Sequence, residues 1–489
     1  MGPLDLLLEF CGSFAQEVAL MAKRTLVPDV SDPTTWGLPE QAVENLPSRL
    51  RGFWSRFRPG FETRTRDQSS NAWVYLQGSL RVMTERNFAN IARTVNGPTD
   101  DGQSLQQFMS DSPWSAKAVT DQIQREIAAR TQGRGGVLVF DESPDEKDGD
   151  GSAPTCRGQH NGRLGKVEMS QVGVFLAYHE GPISVGVDAE LYLPQAWFEK
   201  DRKEKREQLG IPPERGFQTK TQLGWRMIQR AKANGLPFEA VLCDELYGRS
   251  ERLRRDLDEA QIVYMAEVPE NTRVYLTPPP AGKPLEARQW ARRADTLFHR
   301  MRVRPTERGD LEDGFAFRRV WTVREGAVAQ EWLVVREHAP GRYSYALSNA
   351  SPETSREDLA RLKRLPYFLD RANQDAKSVL GWDDFRARKY RAWEHHTALT
   401  ALASWFVAET QWDWAQSHPR SPDLARQMGV KVLPSLSVAN VRELLRATMP
   451  LPRLSREQAA RLVAKHLFNR SRSTRSRLKA QRRNRRRRI

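Results

Sequence analysis

Two short apolar runs, each closed by an aspartate, constrain this chain most: 136–140 before Asp141 and 238–243 before Asp244. Runs of this length, rich in Val and Phe and bounded by Gly or polar residues, read as buried strands. A strand apolar on both sides needs helices or loops over both sides of its sheet. Helical periodicity at 219–233 separates the two runs, and Asn234 and Gly235 close it. A helix near 249–259 and a strand at 262–268, ended by Pro269, follow the second run. Strands at 171–178 and 183–193 lie between the first run and the helix. The alternation predicts an α/β fold, a mixed sheet with flanking helices.

The rest of the chain is arranged around that core. Residues 4–23 and most of 41–130 have helical spacing, and Ser115 can N-cap 116–130, where Val119, Ile123 and Ile127 share a face. The stretch 1–130 therefore reads as a helical unit of its own. A loop of Asp, Gly, Ser and Pro is expected from Asp141 to about 155. Residues 315–323, 330–336 and 343–348 read as a meander turning at Glu325–Gly326 and Pro340–Gly341, inside a β-rich insertion over 271–355. Helical signal resumes from 356 to about 415, with short helices at 438–448 and 456–468; Ser455 and Gln458 are placed for a capping box. Residues 470–489 hold eleven Lys/Arg and no acid, which predicts a disordered Arg-rich tail.

Charge narrows the partners. The formal charge is +16, of which the tail supplies eleven, so the body is mildly basic and the tail is a concentrated cation suited to polyanions. Three scattered cysteines, Cys11, Cys156 and Cys243, with no Cys-x-x-Cys spacing argue against a disulfide framework and a structural zinc site, and for a reducing cytosol. The N-terminus lacks a basic n-region, and 398–408 is too short to span a bilayer, so neither a secretory signal nor membrane association is expected. The glycines fit neither a P-loop nor a dinucleotide fold: Val167 stands where a P-loop needs Ser or Thr, and Gly133–Gly136 precedes its strand. Adjacent His395 and His396 point about 100° apart on a helix, so packing or DNA contact suits them better than a metal pair.

The acids carry the chemistry. A single strand-end Asp is commonly a turn or capping residue. Asp141 and Asp244 together occupy the strand ends where open α/β sheets place their sites. Asp370 starts a polar helix face with Asn373, Gln374 and Lys377. Three such carboxylates can hold two divalent cations, Mg²⁺ or Mn²⁺, about 3.5–4 Å apart against a phosphodiester. Lys377, two turns on, would contact a phosphate near the scissile bond. The alternative for that face is plain solvation. Within the tail, Arg482, Arg483, Arg485, Arg486, Arg487 and Arg488 are expected to grip DNA phosphates without reading sequence.

An ordered series of stretches resembles the DDE transposases of bacterial cut-and-paste insertion sequences, within the RNase H-like superfamily. It comprises 111–114, the Asp141 strand, 162–168, 171–175, 191–194, 217–220, 244–248, 332–336, 347–350 and 374–377. The resemblance implies an RNase H-like catalytic core, split as 131–270 and 356–415 around the β-rich insertion. It also implies an N-terminal DNA-binding region over 1–130, a C-terminal helical region over 416–469, and the basic tail over 470–489. It assigns Asp141, Asp244 and Asp370 as catalytic and metal-binding, with Lys377 on the DNA terminus. The family's third acid is usually Glu seven residues before a Lys; here Lys377 sets that register and Asp370, one methylene shorter, fills it. Pro366–Tyr367 replaces an expected Arg–aromatic pair. The implied reaction hydrolyses a phosphodiester at the element's end, after which the freed 3′-hydroxyl attacks target DNA, without ATP. The implied partners are double-stranded terminal inverted repeats and target DNA, held by a dimer in a synaptic complex, in a bacterial cytoplasm at the nucleoid. The departures at Asp370 and Pro366 motivate one alternative, a transposase-derived DNA-binding protein without cleavage. An RNase H-like nuclease acting on RNA–DNA hybrids is another.

Overall fold

A computed structural model describes residues 29–131, 133, 135–146, 156–161, 166–181, 183–306, 309–365, 380, 388–450 and 455–486. The expected helix at 4–23 and the residues Asp370, Lys377, Arg487 and Arg488 lie outside them.

After short helical turns at Pro33–Trp36 and Glu40–Glu44, the described chain forms helices α1 (Leu46–Phe57), α2 (Ser69–Arg81), α3 (Phe88–Asn96), α4 (Gln103–Asp111) and α5 (Ala116–Thr131). The Ser115 hydroxyl accepts the Ala118 N–H at 3.1 Å, as the N-cap reading requires. Strands β1 (Gly136–Glu146), β2 (Cys156–Asn161), β3 (Lys166–Glu180) and β4 (Ile183–Leu191) follow. Helix α6 (Lys220–Ala233) starts at a Thr219/Gln222 capping box and leads to β5 (Phe238–Cys243). Then come α7 (Glu245–Gly248), α8 (Glu251–Glu259) and β6 (Tyr264–Val268). The β-rich stretch supplies β7 (Arg273–Tyr275), β8 (Pro284–Glu286), β9 (His299–Thr306), β10 (Gly309–Arg324), β11 (Ala327–Ala339) and β12 (Arg342–Ser348). Glu325 and Gly326, at φ +47° and +87°, make the tight β10–β11 turn. Helices α9 (Arg356–Arg364), α10 (Tyr390–Ser417), α11 (Val438–Thr448) and α12 (Arg456–Arg486) complete it.

All the described strands form one sheet, in the order β2-β3-β1-β5-β6-β12-β11-β10-β7-β8, with β4 on β3 and β9 on β10. The pairs β1/β3 and β3/β4 are antiparallel, whereas β1/β5 and β5/β6 are parallel and are reached through helices. The β-rich insertion continues this sheet: β12 pairs antiparallel with β6. Alternation along the strands divides the core. Leu138, Phe140, Val241, Cys243, Tyr264 and Ala266 face α6, α10 and the N-terminal helices. Val137, Val139, Ala240, Leu242 and Met265 face the other way, onto Leu359, Ala360 and Leu362 of α9.

Three expectations need correction. The N-terminal helices do not close a core of their own: Leu50, Phe53, Leu76, Ile123 and Ile127 share one apolar cluster with Leu402, Phe406 and the sheet. Helix α10 packs against both them and β4, and its Glu409 carboxylate, almost fully buried, pairs with Arg49 and Arg56 of α1 and Arg130 of α5. Strand β1 does not stop at Asp141 but runs to Glu146, because β3 keeps pairing with it, Asp145 opposite Gln171. The tail from 470 is helical as far as Arg486; 456–486 contains no Gly or Pro and is rich in Arg, Ala and Leu, all good helix formers. Ser455 and Gln458 close the expected box, with 2.9 and 3.1 Å bonds, at its start.

Candidate active site

Asp141 and Asp244 converge although 103 residues separate them. The parallel β1/β5 ladder ends with Phe140 opposite Cys243, so each acid lies one position beyond the last pair. Both continue the series that faces α9, Val137–Val139–Asp141 on one strand and Ala240–Leu242–Asp244 on the other. Adjacent strands lie about 4.8 Å apart, so the two carboxylates are neighbours on one face. Beyond this row β1 continues in its pairing with β3 alone, while β5 has ended.

Local chemistry holds both acids. The Asp141 Oδ1 accepts the Glu142 N–H at 2.7 Å. Asp244 is the N-cap of α7 and accepts the Tyr247 N–H at 3.3 Å. The α7 turn sits so tightly on β6 that a Cβ on Gly248 would lie 1.8 Å from the Glu267 carbonyl oxygen. Glycine at 248 is what lets the turn carrying Asp244 approach the sheet. Glu142, next in the chain, points to the opposite face and pairs with Lys220 of α6 at 2.7 Å.

Carboxylates crowd around Asp244. Asp244 is exposed as a residue, yet desolvation of its carboxyl by the surrounding chain raises it above the ordinary aspartate range. Backbone hydrogen bonds from Tyr247 and Leu246 oppose this, while the Glu142 and Glu267 carboxylates add to it. Burial raises the Tyr247 phenol as well, with Glu142, Asp141 and Asp244 contributing. Oxygen donors crowded by their own negative charge suit a hard divalent cation. Among the described residues no group of three or more His, Cys, Asp or Glu is arranged to hold a metal ion.

Helix α9 covers the face that bears the two aspartates, and Asp370 comes five residues after its C-cap, Leu365. Five residues span at most about 18 Å. Arg482, Arg483, Arg485 and Arg486 fall in the last turns of α12. His395 and His396 are packing residues: His395 stacks on Trp114 with ring centroids 3.8 Å apart, and the Tyr75 hydroxyl meets His396 Nδ1 at 2.7 Å.

Sequence reasoning missed Glu267 and Lys363. Cys243 lies opposite Ala266 in the β5/β6 ladder, so Glu267 extends the row, and Lys363 Nζ of α9 reaches its Oε1 at 2.6 Å. The available signal was an acid at the end of a third parallel strand.

Comparison with known proteins bears on this region. A family described as DDE superfamily endonuclease matches residues 56–325, a span containing Asp141 and Asp244. A probable transposase for insertion sequence element IS701 of Microchaete diplosiphon is 25% identical over 329 residues, covering 66% of this chain and 78% of that protein. Among solved structures, a piggyBac transposase synaptic complex with hairpin DNA aligns at TM-score 0.37 and 11% identity, over 81% of this chain and 76% of that one. No helix among the described residues is long and apolar enough to cross a membrane.

Proposed function

The chain belongs to the DDE superfamily endonucleases, and from that premise we propose that it is a DNA transposase that cuts phosphodiesters at the ends of its element and joins them to target DNA. The observation that carries this reading is the convergence of Asp141 and Asp244 on one face, inside the family-matched region. The strand order β4-β3-β1-β5-β6, antiparallel then parallel, supports an RNase H-like core. The IS701-element relative supports an insertion-sequence transposase over other endonucleases.

In this reading Asp141, Asp244 and Asp370 hold two divalent cations, Mg²⁺ or Mn²⁺. Bound there, the cations neutralise the phosphate and polarise the attacking and leaving oxygens. The chain's own residues do the rest. The Asp244 cap and the Gly248 approach keep the second carboxylate beside the first. Lys377 steadies a phosphate near the scissile bond. Basic α12, with Arg482, Arg483, Arg485, Arg486, Arg487 and Arg488, grips duplex DNA along its backbone. Two DNA ends must be handled together, so the working form is a dimer on paired terminal repeats.

The test is nicking of a duplex carrying the element's terminal inverted repeat, in Mg²⁺ or Mn²⁺. Wild-type protein nicks and then transfers strands; Asp141→Ala loses at least about 10³-fold in rate, since its loss removes a ligand of the charge-stabilising site. DNA binding with no metal-dependent nicking would leave a binding-only descendant of a transposase. Cleavage confined to RNA–DNA hybrids would make it an RNase H-like nuclease.

A further inference from the structure

Strand β4 runs parallel to β1, because each pairs antiparallel with β3, so its C-terminal end reaches the sheet edge that carries Asp141. One row across the three strands reads Ala189, Phe175, Asp141. The chain leaves this edge at Tyr192, whose N–H donates to the Val172 carbonyl at 2.8 Å, and returns to it at Lys220, whose Nζ lies 2.7 Å from Glu142 Oε2. The Lys220 ammonium also sits over the Tyr192 ring, 5.4 Å from its centroid, so both ends of the segment 192–220 are fixed beside the first aspartate. The second aspartate is tied to the same place. Tyr247 of its turn meets Phe140 with ring centroids 4.4 Å apart, and a Cβ on Gly224 of α6 would lie 2.9 Å from the Phe140 ring.

Between its ends the segment interleaves aromatic rings with cations. Arg202 and Lys205 lie over Trp197 at 5.6 and 5.4 Å, and Arg206 lies over Phe198 at 5.8 Å. Trp197 is buried and Phe198 half-buried, whereas Phe217 stands 40% exposed, with Phe198 edge-on to it and ring centroids 6.4 Å apart. On the turn that carries Asp244, Leu246 is 38% exposed. A lone exposed apolar side chain needs no explanation. Here one lies three residues from the Lys220 that pairs with Glu142, and another two residues from Asp244. An exposed ring backed by a second ring and set among cations matches a nucleobase with its phosphates. An apolar protein partner would have to bury those cations, whereas single-stranded DNA neutralises them. Bases in closed duplex keep their faces stacked and out of reach, so the match is to unpaired nucleotides.

We propose that Phe217, together with Leu246, docks unpaired nucleotides of a DNA end, an inference that rests on reading the chain as one that works on DNA. Phe217 stacks on an unpaired base, Leu246 packs against a neighbouring one, and the cations of 192–220 attract the phosphates. The surface thereby favours DNA whose end has opened beside Asp141 and Asp244 over closed duplex. Both residues bind the nucleotide and carry no chemistry.

Two probes test it: a blunt duplex of about 20 base pairs, and the same duplex with a single-stranded extension of about five thymidines at one end. Each is titrated by fluorescence anisotropy against the metal-free full-length protein. Wild type binds the extended duplex about tenfold more tightly than the blunt one. Phe217→Ala weakens binding of the extended duplex about 5- to 10-fold and leaves the blunt duplex within about twofold, because only stacking on an unpaired base is lost. Phe217→Trp keeps the preference, and Leu246→Ala loses about threefold on the extended duplex alone. Iodouracil placed in the extension photocross-links to the wild-type peptide bearing Phe217. An equal loss on both probes in Phe217→Ala, no loss on either, or cross-links that map elsewhere would overturn the proposal. Should Phe217→Ala fail to fold, Phe217→Leu and the wild-type cross-link decide by the same criteria. Wild-type protein that binds neither probe refutes the DNA reading and the docking surface with it; wild-type protein that binds both probes equally refutes the surface alone.

Discussion

Asp244 shows at the scale of one residue how a crowded strand-end carboxylate strains its fold. Its carboxyl is raised above the ordinary aspartate range by desolvation, with Glu142 and Glu267 adding to the effect. A carboxyl whose folded-state pKa lies above its unfolded value destabilises the fold once ionised; the effect is absent below the unfolded pKa and grows as pH rises past it. Asp244→Asn keeps an N-cap side chain while removing the charge. The melting temperature of this variant is therefore expected to exceed wild type at pH 7 and to match it near pH 3, while nicking is lost. Divalent cation narrows the gap at pH 7 by binding wild type. A variant that melts no higher than wild type at pH 7 without metal would contradict this account.

Among the elements, α12 departs furthest from expectation. It carries twelve Lys/Arg against one acid, Glu457, over 31 residues, about 46 Å of helix at 1.5 Å per residue. Val463, Leu467 and Leu478 are exposed along it, and its Lys465 touches the body through a 3.0 Å bond to the Thr99 carbonyl. Composition read as a charge run predicts disorder, whereas helix propensity favours what the structure adopts, and counterions favour helix by screening like charges at i, i+4. Deleting 470–489 removes eleven cations, so duplex binding weakens for every sequence and the slope of log K against log salt becomes shallower by roughly 3 or more units. Filter-binding titrations from 50 to 200 mM salt give that slope, and an unchanged value would reject the backbone grip. Other elements were legible with little error. The apolar run 238–243 is β5, the 438–448 pattern is α11, and the Glu325–Gly326 turn forms where Gly326 readily takes the positive φ it needs. Strand β1 was cut short because pairing with β3 carries it through residues such as Ser143, Pro144 and Asp145 that locally read as loop.

For the whole molecule, the decisive feature is one shared core. The N-terminal helices, the sheet and α10 bury their apolar faces together, and Glu409 joins α1, α5 and α10 through Arg49, Arg56 and Arg130. Removing that carboxylate leaves Arg49 and Arg130 with Asp413, and Arg56 with Glu126, so three guanidinium groups share two acids. Glu409→Ala is therefore expected to cost about 2 kcal/mol, less than a fully stranded buried charge. Urea unfolding followed by tryptophan fluorescence measures the loss. A single transition for wild type would bear out the shared core, and separate melting of the N-terminal helices would contradict it.

The amino-acid sequence by itself determined the local elements and the identity of the acids: apolar runs make strands, capping residues start helices, and an Asp follows each of two buried runs, because these properties depend on neighbours in the chain. Tertiary structure alone decided that Asp141 and Asp244 share a face, that Glu267 completes their row under Lys363, and that the N-terminal helices have no core without α10. Those facts depend on ladder register and on contacts between residues far apart in the chain, for which no local pattern codes.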